Sequence, residues 1–153
     1  MFTKSSIIKF SFLIFLFSSC NSTKNIRENL ISPVYVTNTK KFYLLSPNNI
    51  QENIDKVQLL SGSFGENSFS INSYLQADEN GIFLSLFNDL GSGMGDLVYD
   101  GTEVSFESKV FPKALKAEYI VADLQFAYYN VDSLQKSLAT LGLDFLSDVL
   151  SDG

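Results

Sequence analysis

Ser68-Phe-Ser-Ile-Asn-Ser-Tyr-Leu-Gln-Ala-Asp-Glu-Asn-Gly-Ile-Phe-Leu-Ser-Leu-Phe87 decides the fold. In its first half Phe69, Ile71, Ser73, Leu75 and Ala77 alternate with Ser68, Ser70, Asn72, Tyr74 and Gln76. Successive side chains of a strand point to opposite faces, so this spacing predicts a strand with one apolar and one mostly polar face. Asp78-Glu79-Asn80-Gly81 comes next, and Asn-Gly between apolar runs is a strong hairpin signal. In the return, Ile82, Leu84 and Leu86 share one face and Phe83 and Phe87 the other. Large apolar groups on both faces predict a strand covered on both sides.

The flanks extend this hairpin into a meander. Residues 54–61 form a strand candidate with Val57 and Leu59 on one face, and Gly62 to Asn67 read as its break. Further upstream, residues 34–37 and 41–45 are short β-branched and aromatic runs, succeeded by the turn sequence Ser46-Pro47-Asn48-Asn49. Downstream, Gly91-Ser-Gly-Met-Gly-Asp96 has the look of a phosphate-binding glycine string. Such a string needs a helix N-terminus after it. Instead, apolar residues 97–99, the turn Asp100-Gly101 and alternating residues 102–107 read as strand, turn, strand. The glycines are therefore assigned to a hairpin connection.

After Pro112 the period changes. Tyr119, Ala122, Phe126 and Tyr129 recur at helical spacing, and Ile120, Leu124, Ala127 and Tyr128 widen the stripe. Pro112 suits a first helical turn, so the pattern predicts a helix over residues 113–129. That helix is apolar around most of its circumference and must be covered. Asp132 and Gln135 stand at capping-box spacing, and Leu134, Leu138 and Leu141 predict a second helix over residues 132–141, stopping at Gly142. The class is α+β, mainly β, with an antiparallel sheet and helices packed on it.

The 153 residues contain no His and one Cys, which excludes Cys/His zinc sites, internal disulfides and His-dependent nucleophiles. For an enzyme, Asp96, Asp100 and Asp123 are the acids that could pair as general acid and base. Asp100 reads as a turn residue and Asp123 as part of a helix face, so no enzyme and no cofactor is expected. The net charge is −6, from 11 Lys+Arg and 17 Asp+Glu. An acidic chain without a basic block excludes nucleic acid as a partner.

The N-terminal stretch carries Lys4 and Lys9, an apolar run over residues 10–17, then Ser18-Ser19-Cys20. Eight helical residues span only ~12 Å, against ~30 Å of bilayer core, so the run reads as a signal peptide rather than a membrane span. The placement of Cys20 resembles the lipobox of bacterial lipoproteins. That resemblance implies a signal peptide over residues 1–19, lipidation of Cys20, and a lipidated tether over residues 20–32. A single domain would then fill residues 33–153. Losing two lysines and no acid would leave nine cations against seventeen anions, a net −8 (9 − 17) over 134 residues (153 − 19). Membrane attachment would then rest on the acyl chains. Asn21, next to the lipidated position, leans the expected location toward the outer membrane, on its periplasmic face.

Tyr99-Asp100-Gly101 before a strand, then Ile120-Val-Ala-Asp-Leu-Gln-Phe-Ala-Tyr-Tyr129 and a Leu-striped helix, resemble an uncharacterised family of bacterial outer-membrane lipoproteins. Some members of that family lie in aryl-polyene biosynthesis clusters, and the family is similar in fold to the LolA/LolB lipoprotein carriers. The resemblance covers most of residues 54–141. It implies a curved antiparallel sheet, a half-barrel, with helices 113–129 and 132–141 on its concave face. The family usually has Trp-Pro where this chain has Tyr129-Asn130, and further strands beyond. The domain is therefore expected to be an incomplete copy with an open sheet edge after residue 142.

In the carriers an apolar cavity between sheet and helices holds acyl chains. The corresponding expectation is a cavity for an acyl or polyene lipid, or for lipoprotein acyl chains, lined by Phe69, Ile71, Leu84, Leu86, Phe106, Leu124 and Phe126. The alternative is a non-catalytic structural or adaptor lipoprotein in which the same residues form an ordinary packed core.

Overall fold

The computed structural model describes residues 31–64, 66–112 and 114–145. Its centre is a five-stranded antiparallel meander of β3 (Ile54–Phe64), β4 (Asn67–Asp78), β5 (Gly81–Phe87), β6 (Gly93–Tyr99) and β7 (Val104–Ser108). The sheet is open, with β3 and β7 at its edges. A small hairpin, β1 (Val34–Tyr35) with β2 (Lys41–Phe42), precedes it, and helices α1 (Ala117–Tyr128) and α2 (Val131–Ala139) come after it.

The alternation at residues 69–77 produces the expected strand. Ile71, Ser73, Leu75 and Ala77 are buried. Register places Leu75, Leu84, Leu97 and Phe106 in one row across four strands, and the three leucines of that row are fully buried. Ser73, a buried polar side chain, donates its hydroxyl to the Gln58 carbonyl at 3.1 Å, so no polar group is stranded there.

Three local expectations change. Gly62 to Asn67 do not break the sheet, because β3 runs to Phe64 and β4 begins at Asn67, with Gly62 opposite Phe69. At Asn80-Gly81 the two loop residues are Glu79 and Asn80, while Gly81 already pairs with Asp78. Gly81 has φ +156°, and a Cβ there would stand 2.2 Å from the Tyr99 carbonyl oxygen, so close backbone approach requires the glycine. Finally, β5 is covered on one side only. Ile82, Leu84 and Leu86 are buried, but Phe83 is half-buried against the ring edge of Tyr74 at 6.4 Å.

The glycine string is part of the sheet. Leu86 pairs with Gly95 and Phe87 with Gly93, which leaves Met94 as the extra residue of a bulge.

The first helix starts later than Pro112 predicts. The Leu115 amide closes a single turn on the Pro112 carbonyl at 2.9 Å, but Lys116 is extended (φ −79°, ψ 121°), and α1 begins at Ala117. Tyr129, also extended, ends α1 and bridges to Ile50. The second helix is capped by Asn130 rather than Asp132. The Asn130 side chain accepts from the Ser133 amide at 3.2 Å, and Gln135 instead accepts from the Phe145 amide at 2.7 Å. Gly142 (φ +65°) stops α2 as expected, with the Leu143 amide bonded back to the Leu138 carbonyl at 3.1 Å.

Residues 43–51 strap this assembly together. Gln125, buried on α1, accepts from the Leu45 amide at 2.9 Å and donates to the Leu45 carbonyl at 2.8 Å. The Tyr99 hydroxyl from β6 donates to the same carbonyl at 2.8 Å. Helix, strap and sheet are thus fixed at one point, and buried Val121 and Leu124 bring α1 into the core shared with the sheet.

Candidate functional site

The inward positions of β3 are Ile54, Lys56, Gln58, Leu60 and Gly62, opposite Ala77, Leu75, Ser73, Ile71 and Phe69 of β4. Only Ile54 is buried. Two of the five are polar and one has no side chain, so α1 does not close down on this strand. A groove of about 450 Å³ remains between them, within the range of ~300–1,000 Å³ usual for ligand sites.

The helical wall is a single stripe. Tyr119, Ile120, Asp123, Leu124, Ala127 and Tyr128 recur at three- and four-residue spacing and all line the groove. At one end the Tyr128 hydroxyl donates to Gln58 Oε1 at 3.0 Å, and Lys56 Nζ lies 4.5 Å from the centre of the Tyr128 ring. At the other, the Phe69 and Phe111 rings meet edge to face with centroids 4.6 Å apart. Gly62 permits that contact, since a Cβ on it would stand 2.8 Å from Phe69 Cζ.

Among the described residues, Asp123 is the single charged member of the lining. It sits exposed at the rim, yet its carboxyl is held above the ordinary value by burial alone, with no cation or donor offsetting the rise. Tyr129 lies just past the groove and is buried, and its hydroxyl has no hydrogen-bond partner among the described residues. Burial pushes that hydroxyl well above its ordinary value, moderated by the Gln125 amide nearby.

Of the seven expected lining residues, Phe69 and Leu124 line the groove. Ile71, Leu84 and Leu86 are buried in the packed core and do not line the groove. Phe106 is half-buried beside Phe111, with ring centroids 6.0 Å apart, outside the groove lining. Phe126 points away from the sheet. Its ring meets Phe42 at 4.9 Å and stacks with Phe145 at 6.2 Å, and it lines a second hollow beside β1, which shares Tyr119 and Asp123 with the groove. Sequence reasoning missed Leu60, Phe111, Leu115 and the polar members Gln58 and Asp123. A stripe through 119, 120, 123, 124, 127 and 128 is readable, but the stripe through Tyr119, Ala122 and Phe126 competes with it at the same spacing.

Cys20, the signal region and most of the tether lie outside the described residues. Among the described residues no helix is long and apolar enough to cross a membrane. No group of three or more His, Cys, Asp or Glu that could hold a metal ion occurs among them.

Fold and groove define a mainly β domain, an open antiparallel meander carrying two helices, with an apolar groove at its longer edge strand. The chain belongs to the family described as "Protein of unknown function (DUF3261)", whose model matches residues 55–149. The match takes in nearly all of the meander and both helices. No curated protein and no solved structure matches the chain.

Proposed function

We propose that this is a lipid-anchored protein of the outer membrane, facing the periplasm, whose groove between β3 and α1 binds or hands over an acyl or polyene chain. The observation that carries this is the groove itself, about 450 Å³ with a mostly apolar lining. Each methylene transferred into it contributes ~0.8 kcal/mol, so a medium-length chain supplies enough free energy for binding without any catalytic group. A half-open groove also suits a carrier, since the chain leaves without unfolding the protein. The signal region, the tether and Cys20 supply the anchor in this reading. The likeness to LolA/LolB carriers belongs to the same proposal, with the open sheet standing for the half-barrel and α1 for its lid.

A structural or adaptor role is the second reading. It is favoured by the sealed centre of the sheet, where Leu75, Leu84, Leu86 and Leu97 are fully buried, and by Val57 and Leu59, exposed at 67% and 64% on the opposite face. Mass spectrometry of the organic extract of the purified protein separates the two. The carrier reading expects a stoichiometric acyl or polyene species that Leu124→Trp, which fills the groove, removes. The adaptor reading expects no lipid in either protein.

A further inference from the structure

We infer that the groove selects amphiphiles by their polar end, and that Asp123 at its rim admits a head that donates hydrogen bonds and bears no negative charge. This rests on the groove being a lipid site, as proposed above. Asp123 is the one charged member of a lining otherwise made of apolar side chains, Gly, Ser, Gln and Tyr. It lies at the middle of the helical stripe, one turn from both Ile120 and Ala127, so a chain lying along α1 brings its head past this carboxylate. Lys56, the nearest cation of β3, is turned onto the Tyr128 ring and is not part of the lining. A fatty-acid carboxylate or a phosphate placed here meets a like charge, with no cation in the lining among the described residues. An ammonium or hydroxyl meets an acceptor with no other partner, and burial of the carboxyl without any offsetting donor agrees with this.

Dodecylamine and laurate, titrated below their micelle-forming concentrations into the purified protein at pH 7, give the test by calorimetry. They share one chain and differ in head charge. The inference expects dodecylamine to bind roughly fivefold or more tightly than laurate, the scale of a partly exposed charge pair. Asp123→Asn should bring the two affinities together. Asp96→Asn, which removes an equal charge from the opposite sheet face, should leave the preference intact and so separates Asp123 from the overall acidity of the chain. If both probes bind wild type equally, or if Asp96→Asn abolishes the preference as fully as Asp123→Asn does, the inference is overturned while the lipid site stands. If neither probe binds, the lipid site itself fails.

Discussion

The Tyr128 hydroxyl donates to Gln58 Oε1 at 3.0 Å, joining the last turn of α1 to the edge strand β3. Between this bond and the Phe69–Phe111 contact the two walls stand apart. Tyr128→Phe keeps the ring under Lys56 but loses the bond. A part-buried hydrogen bond of this kind is worth about 0.5–1.5 kcal/mol. Urea unfolding of Tyr128→Phe, Gln58→Ala and the double variant should give a coupling energy in that range, and a coupling near zero would mean that this end of the groove is not tied.

Phe126 and Leu124 give opposite readouts. Phe126 packs on Phe42 and Phe145, away from the groove, and is only partly buried, so Phe126→Ala should cost about 3 kcal/mol, the lower end of the range for buried aromatics. Lipid binding at saturating folded protein should be unchanged. Leu124→Trp should instead abolish binding, because Leu124 lines the groove. Thermal melts and probe titrations on both variants check the pair; loss of binding in Phe126→Ala under conditions where it is folded would move the site to the hollow beside β1.

Tyr129→Phe should raise stability. The Tyr129 hydroxyl is buried with no partner among the described residues, and an unsatisfied buried hydroxyl costs ~1–3 kcal/mol. The phenylalanine ring keeps the packing and removes that cost. An increase in melting temperature is expected, and a decrease would show that the hydroxyl is bonded in solution.

How far these features are legible varies with their range in the sequence. The alternation through Ile71, Ser73, Leu75 and Ala77 is local, and it carries directly into burial. Gly142 ends its helix as its position predicts, because a left-handed cap needs only the glycine and the turn before it. Gln125 reads as a polar break in an apolar helix, yet it is fully buried and bonded to Leu45, eighty residues away. Periodicity carries no information about such a partner. The groove is likewise hidden: an apolar residue predicts burial, and nothing local tells that the row through Leu97, Leu84 and Leu75 is buried at its centre yet ends at Lys56 on an edge strand. The same holds for Gly62, which reads as a break and is the seat of the Phe69 ring.

Asp123 should cost stability at neutral pH. Its carboxyl is raised by burial in the folded state, so the folded protein holds its proton to higher pH than the unfolded chain does. Stability from this group is therefore present below the ordinary carboxylate range and is lost as pH rises through the raised value. Asp123→Asn should stabilise the domain at pH 7 and have little effect near pH 3. Melting temperatures of both proteins at the two pH values check this, and an equal effect at both would contradict it.

Occupancy of the groove is the central claim, and the absence of tryptophan from the chain makes it directly measurable. Phe111→Trp exchanges one aromatic ring for another at the end of the groove, and Val98→Trp puts an indole on the opposite sheet face. A monoacylglycerol with a dibrominated chain, which is neutral and a hydroxyl donor, is titrated into each protein below its aggregation threshold. Saturable quenching of the tryptophan at position 111, with little at position 98, is the predicted result. Equal quenching at both positions, or none at position 111, would contradict a lipid site between β3 and α1.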